Sequence, residues 1–195
     1  MMIRTLGLVT VAVVAIASSP ARAATEAYAI DPVHSYVGFK VRHLMVSDVK
    51  GSFGTFSGTI TVDPANLEAS SVEVTIDAAS ISTKNDRRDS DLKSANFFDV
   101  EKFPTITFKS KKVMKQGEQW IAVGDFTMHG VTKEIQLPFT LSGPVAMGEN
   151  SVIGVSSGTK LNRFDYGIKW DKKLDAGGMV VGETVTIELE IEARK

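Results

Sequence analysis

Three histidines, His34, His43 and His129, are the only imidazoles in a 195-residue chain that has no cysteine. They fall in three separate segments, with neither a His-Glu-x-x-His run nor an i, i+4 pair, so no metallohydrolase motif is present. A three-histidine metal site would need all three segments to converge. His129 stands before Gly130 between two apolar runs and reads as a turn residue, because histidine is enriched at positive φ. His43 lies in an apolar stretch and could face a pocket mouth or sit satisfied in the core. Asp86, Arg87, Arg88, Asp89 and Asp91 form a charge-dense patch. Such a patch could clamp an anion at a helix N-terminus, but acids outnumber bases in it, which favours a helix cap with local ion pairs. Carboxylates are plentiful (Asp99 and Glu101 besides these), yet nothing marks two of them as a catalytic acid and base. There is no Gly-x-Ser-x-Gly elbow, and Gly51, Gly54 and Gly58 are too spread for a phosphate loop. The expectation is a protein without catalytic residues, metal or cofactor.

What the chain does hold in surplus is aromatic and flexible apolar side chains: Leu44, Met45, Phe53, Phe97, Phe98, Phe103, Phe164, Trp170 and Met179. A plain core would account for any one of them. They cluster at the places where strand periodicity breaks, which is where a barrel would be capped, and that raises the reading of an apolar ligand pocket.

The elements that must position these residues show period-2 alternation, the mark of half-buried strands. Val37, Phe39 and Val41 alternate with Gly38, Lys40 and Arg42; Phe56, Gly58, Ile60 and Val62 make a second face. Six further segments follow, around Val72–Ala78, Ile106–Lys109, Trp120–Met128, Ile135–Leu141, Ile153–Leu161 and Val185–Ile191. Phe39, Phe56, Val74, Ile76, Phe108, Phe126, Ile135 and Phe139 share the apolar phase and are expected to point inward, with Glu73, Thr75 and Asp77 outward. Gln116-Gly117-Glu118, His129-Gly130 and the stretch from Gly143 to Asn150 are turn-rich joints of an antiparallel meander. Pro64 ends the second strand, since proline cannot donate to the ladder.

Two interruptions break the meander. Lys84 to Phe98 has no strand phase and reads as a short helix near Arg87–Ala95, with Asp89 or Ser90 able to cap its start. Arg163 to Gly182 is a long loop carrying Phe164, Tyr166, Trp170 and Met179, and such loops are commonly lid-like. The run Arg42–Val46 also loses strand phase. It is too apolar for a usual hairpin turn and reads as a second short helix in a covering loop between two long strands. Eight strands with one clean apolar face each need closure to remove their edges. An eight-stranded barrel can be filled by side chains or can hold one small ligand. Periodicity alone does not separate these, nor a barrel from a two-sheet sandwich.

The first residues form an address rather than a fold. Arg4 precedes an apolar run from Leu6 to Ala17, and Ala21-Arg22-Ala23 supplies a small-residue cleavage pattern. This reads as a secretory signal peptide over residues 1–23, since the run is shorter than the ~20 residues of a spanning helix. One domain, residues 24–195, is expected to follow. Removing residues 1–23 takes away two arginines and no acid, which leaves three more acids than bases among the remaining residues. That balance points to neither nucleic acid nor an anionic surface. Without cysteine, an exported domain must be held by its core alone.

Read in order, Ile30-Asp31-Pro32-Val33-His34-Ser35, Val41-Arg42-His43-Leu44-Met45 and Gly51-Ser52-Phe53 resemble the opening of the YceI-like, polyisoprenoid-binding family. Asn85-Asp86-Arg87-Arg88-Asp89, Leu92-Lys93-Ser94 and Phe97-Phe98-Asp99-Val100 resemble its central segment. Phe103 to Ser110, Gly124 to Lys133 and Asn162 to Ile168 follow its later blocks, with Phe126 where many relatives carry leucine. The resemblance implies an all-β, eight-stranded antiparallel, lipocalin-like barrel with one or two short helices and an elongated apolar cavity. It implies export to the periplasm and a bound isoprenoid lipid, isoprenoid quinone or fatty amphiphile in place of a cofactor. No nucleic acid and no stable membrane anchor are expected as partners; association as a homodimer is left open.

The candidate ligand-binding set is Phe39, Val41, Phe53, Phe56, Val74, Ile76, Leu92, Phe97, Phe108, Phe126, Ile135 and Phe139 along the barrel, with Leu44, Met45, Phe164 and Trp170 at its cover. Arg42, His43, Arg163 and Lys169 are the donors nearest that cover for a polar head group. Arg42 and Arg163 could instead pair with Asp165, Asp171 or other acids and fix the loops. The rival functions are a stress-related interaction protein with an incidental ligand and an enzyme acting on the lipid.

Overall fold

The computed structural model describes residues 25–175 and 177–195; the expected signal peptide lies outside them. Eleven strand segments and one α-helix are found among the described residues. The strands are β1 (Glu26–Ile30), β2 (Tyr36–His43), β3 (Ser47–Phe53), β4 (Phe56–Val62), β5 (Ser71–Asp77), β6 (Ile81–Ser82), β7 (Thr105–Gln116), β8 (Gln119–Met128), β9 (Val131–Met147), β10 (Asn150–Asn162) and β11 (Val181–Arg194). The helix α1 (Asp86–Lys93) lies between β6 and β7.

These segments close into a barrel of eight members because the first three members are each bent into two pieces. β11 pairs antiparallel with both halves of the first, through Ile30↔Ala193 in β1 and through Glu190↔Tyr36 to Val185↔Val41 in β2. β4 pairs with β1 and β3 with β2; β5 pairs with β4 and β6 with β3. From β5 the ring runs through β7, β8, β9 and β10 to β11, all antiparallel. Closure satisfies the edge hydrogen bonds that an open sheet would leave unpaired.

Both halves of a bent member keep the inward phase, and the joints absorb the extra residues. Between β1 and β2 the link is pinned by its own polar atoms: Asp31 Oδ1 accepts from the Val33 amide at 2.9 Å, and Ser35 Oγ accepts from the Glu192 amide at 2.9 Å. Between β5 and β6, Asp77 Oδ1 accepts from the Ala79 amide at 2.9 Å and caps a single 3₁₀ turn, Ala78–Ser80.

The expected helix near Arg42–Val46 does not form, and the two strands flanking it are not joined by a covering loop. The chain turns at Leu44–Val46 in a tight hairpin, closed by the Val46 amide donating to His43 O at 3.1 Å, and returns as β3. Leu44 (φ 50°) and Met45 (φ 62°) occupy the left-handed region that asparagine and glycine usually fill in such turns. That unusual choice hides the turn from a composition-based reading. The joint expected from Gly143 to Asn150 is also shorter than expected, because β9 continues to Met147 and the turn is Gly148-Glu149. At the other joint, His129 (φ 52°) and Gly130 (φ 73°) form a two-residue hairpin turn, as expected of His129.

The helix falls where the break in periodicity places it, but its cap is Asn85, whose Oδ1 accepts from the Arg88 amide at 3.0 Å. Asp89, an expected cap, is instead buried within the helix. Its Oδ1 accepts from the Thr83 amide at 2.8 Å and from Thr83 Oγ1, while Arg88 Nε donates to the same Thr83 hydroxyl at 2.7 Å. Burial pushes the Asp89 carboxyl up, but the hydrogen bonds from Thr83 and Ser82 prevail and hold it below its ordinary value. Within the charge-dense patch Arg88 and Asp89 thus fasten α1 to Thr83, next to β6, while the cap expected from the patch is supplied by Asn85.

Candidate functional site: the barrel cavity

The two ends of the barrel are built differently. At the end where the chain enters, Tyr28, Ile30, Val62, Ile153 and Ala193 pack as a floor. The Tyr28 hydroxyl donates to Glu26 Oε2 at 2.6 Å and accepts from Ser151 Oγ at 3.2 Å. At the far end no strand covers the opening. A chain of rings does so: Phe39 meets Phe53 at 6.0 Å between centroids, Phe53 meets Phe98 edge-on at 5.9 Å, and Phe97 meets Trp170 at 5.6 Å. Leu92 of α1 packs among them.

Between floor and cover lies a cavity of about 230 Å³. A dry engineered cavity of ~150 Å³ suffices to hold benzene. The void does not run evenly through the barrel. Val37, Phe39, Ile106, Phe108, Val113 and Ala122, on β2, β7 and β8, are buried. Ile135, Leu137, Phe139, Val155, Leu161, Val185, Ile187, Leu189 and Ile191 on β9, β10 and β11 also line the cavity, yet are only half-buried, as are Ile60, Val72, Val74 and Ile76 on β4 and β5. Inward side chains that keep accessible surface border unfilled space, so the hollow is bordered by β9, β10 and β11 and, across the ring, by β4 and β5.

The polar groups of the lining are few: Ser70, Ser71, Ser157, Thr159 and Arg163. Ser157 Oγ is satisfied by Pro138 O at 2.8 Å, and Ser70 Oγ accepts from the Asp63 amide at 3.0 Å. Arg163 is the lining's charged residue and is 4 % exposed. Its Nε donates to Gly182 O at 2.9 Å, Nη1 to Ile168 O at 2.8 Å and Nη2 to Val181 O at 3.1 Å. Burial lowers the guanidinium's hold on its proton, and the charges of Glu183 and Asp171 oppose that shift. The side chain thus ties the loop after β10 to the start of β11 through carbonyl groups. This answers the expected alternatives differently for each arginine. Arg42 pairs outside the barrel with Asp48 at 3.3 Å, whereas Asp165 is paired by Lys133 at 3.3 Å.

Of the candidate ligand-binding residues, Phe39, Val41, Phe53, Val74, Ile76, Leu92, Phe97, Phe108, Phe126, Ile135, Phe139 and Arg163 line the cavity. Phe56 does not; it is buried in the surrounding core. Trp170 backs Phe97 from behind, and Phe164 stacks on the Arg163 guanidinium at 4.4 Å. Arg42, Leu44, Met45 and Lys169 are exposed outside the lining, and His43 is half-buried beside Val181. Leu137, Leu141, Val155, Val185, Ile187, Leu189 and Ile191 line the cavity without having been singled out. Their signal was available, since Leu137 shares the phase of Ile135 and Phe139.

The three histidines do not meet. His34 bonds Asp31, His43 pairs in the sheet with Val181, and His129 Nδ1 donates to Tyr166 O at 3.0 Å. Asp31, His34 and Glu192 do come together, but around Arg194, whose Nε is 2.9 Å from Asp31 Oδ2 and whose Nη2 donates to Glu192 Oε1 at 2.7 Å. A cation of the protein's own fills that cluster. Among the described residues no helix is long and apolar enough to cross a membrane.

The model of the YceI-like domain matches residues 28–193. A UPF0312 protein of Staphylococcus aureus is 36 % identical over 167 residues, covering 85 % of this chain and 95 % of its own. Among solved structures, the Campylobacter jejuni YCEI protein superposes with a TM-score of 0.67 at 33 % identity, over 80 % of this chain and 90 % of that one. Burkholderia cenocepacia BcnA gives 0.74 at 21 % identity (84 % and 99 %). A polyisoprenoid binding domain from Saccharophagus degradans, implicated in plant cell wall breakdown, gives 0.61 at 17 % identity (85 % and 97 %). The last two likenesses are of fold.

Proposed function

The chain belongs to the YceI-like family, and on that premise we propose that it binds and carries a long apolar amphiphile of isoprenoid type in the barrel cavity, outside the cytoplasmic membrane. The observation that carries this reading is the half-buried apolar wall of β9, β10 and β11, which faces an unfilled, almost wholly apolar space. The fold neighbour described as a polyisoprenoid binding domain supports the ligand class. Each methylene removed from water contributes ~0.8 kcal/mol, so fifteen buried carbons supply about 12 kcal/mol against an association cost of the same order.

The reading is of a carrier rather than an enzyme, because among the described residues the cavity lining offers no acid–base pair and no nucleophile beside a base. The head group is uncharged or stays outside. Among the described residues Arg163 is the cavity's one cation and already holds three carbonyls, and Arg42 is paired with Asp48 on the outer face. Delivery to the periplasm rests on the N-terminal run ending in Ala21-Arg22-Ala23.

Mass spectrometry of an organic extract of the purified protein tests the proposal. A near-stoichiometric isoprenoid-chain amphiphile is expected, and its loss from a folded Phe108→Asp variant, since an unpaired charge in that lining is costly. A wild-type extract without such a molecule, together with no binding of a fluorescent polyprenol probe, would overturn it.

A further inference from the structure

The hairpin joining β2 and β3 ends in three consecutive apolar residues that are left largely open: Leu44, Met45 and Val46 are 41 %, 59 % and 77 % exposed, although one side of Met45 rests against Gly178. Two of them also hold the left-handed backbone that asparagine or glycine would adopt at less cost. A sequence chosen only for folding would place Asn-Gly here. An apolar side chain kept in a strained, exposed position points to a use outside the fold.

We infer that this tip enters the surface of a lipid bilayer and holds the covered end of the barrel against it. Shape argues for lipid over a protein partner. Three side chains on one projecting turn offer a point rather than the ~800 Å² face of a stable protein contact, whereas a bilayer's acyl boundary accepts a point. Charge is consistent as well. The Leu44 amide donates to Val180 O at 2.8 Å, which fastens the tip to the loop that carries exposed Lys169, Lys172 and Lys173. Lysines flanking an inserted apolar residue can lay their stems on lipid and keep the ammonium at the head groups. Asp171 and Asp175 share that loop, and Arg42 is neutralised by Asp48, so apolar insertion rather than net charge supplies the attraction. The other exposed apolar pair, Val145 and Met147, stands at the floor end in a hairpin without a lysine or arginine.

The position has a consequence for loading, which rests on the proposed function. Val181 pairs with His43 at the base of the tip, and Val181 and Val41 both line the cavity. A docked tip therefore puts the cavity wall within one strand pair of the acyl layer, and an amphiphile could pass between them without crossing water.

The test is flotation of residues 24–195, which contain the whole barrel, with vesicles of phosphatidylcholine and of phosphatidylcholine mixed with phosphatidylglycerol. Wild type should float with both. Met45→Asp and Val46→Asp should lower the bound fraction at least tenfold. Leu44→Asn/Met45→Gly should lower it as far while melting no lower than wild type, which separates docking from folding. All three should still take up a polyprenol delivered in detergent, because none alters the lining. Flotation of the variants equal to wild type, or no flotation of wild type on either vesicle as a protein-binding tip would give, overturns the inference. Failure of polyprenol uptake with intact flotation would instead count against the cavity reading alone.

Discussion

A tryptophan placed at position 189 should be absorbed by the barrel, whereas one placed at position 153 should not. Leu189 on β11 lines the cavity and is half-buried although it points inward. Ile153 on β10 is 2 % exposed, packs in the floor and is not part of the lining. Overpacking a filled site costs about 1–3 kcal/mol, and each kcal/mol lowers Tm by about 2–4 °C in a domain of this size. Ile153→Trp should therefore melt about 2–12 °C below wild type. Leu189→Trp has free space to enter and should melt within about 2 °C of it. The second effect is on the ligand, because the indole takes room that the chain would fill. Displacing three methylenes forfeits about 2.4 kcal/mol, roughly a fiftyfold loss in affinity. Differential scanning calorimetry of delipidated samples, followed by titration with a fluorescent polyprenol, reads both. Equal destabilisation by the two substitutions would mean that the β9–β10–β11 wall is packed, and the hollow with its ligand would have to be abandoned.

Arg163→Gln should destabilise the barrel by about 3 kcal/mol in urea, since the carbonyls of Ile168, Val181 and Gly182 lose their shared donor. Arg163→Lys should not restore it, because one ammonium cannot reproduce the fork. Asp89 predicts a pH dependence. Its carboxyl is held below the ordinary value in the fold, so its contribution is full above the unfolded pKa of about 4 and is lost as pH falls through the lower folded value. The stability advantage of wild type over Asp89→Asn, followed by urea midpoints from pH 7 to pH 2, should accordingly shrink in acid; an advantage that grew would reverse the assigned direction. Leu44→Asn/Met45→Gly should raise stability by about 1–2 kcal/mol by relieving the left-handed backbone, which thermal melts can read.

The eight members of the barrel were legible because side-chain parity is a local property. Val37, Phe39 and Val41 declare a face regardless of what lies across from them, and so do Val74 and Ile76 or Ile135 and Leu137. The short halves were not legible. β6 is two residues long, Ile81–Ser82, and β3 reads Ser47-Asp-Val-Lys-Gly-Ser-Phe53, in which only Val49 and Phe53 are large and apolar among the inward positions. Gly51 explains the gap, for a Cβ there would lie 2.4 Å from the Phe39 ring. The position is kept small so that Phe39 can cross over it, and a strand without a side chain at its centre shows no alternation to read.

The site was half legible for a related reason. Phase identifies which residues face inward but not which inward residues meet a partner. Phe56 and Phe108 share one reading, yet Phe56 is packed in the core and Phe108 borders the void. The difference arises from the surroundings: Phe56 sits in a cluster with buried Tyr28, Ile81 and Phe97, whereas Phe108 sits in one whose members include the half-buried Val72, Ile135, Leu137 and Phe139. Parity places all of these on the inner face, and the packed structure alone shows that the half-buried lining residues fall on β4 and β5 as well as on β9, β10 and β11. Cationic residues near the cover were a poorer guide, because sequence proximity does not record direction. Arg42 is one residue from Val41 and, by parity, on the opposite side of the sheet, where Asp48 meets it.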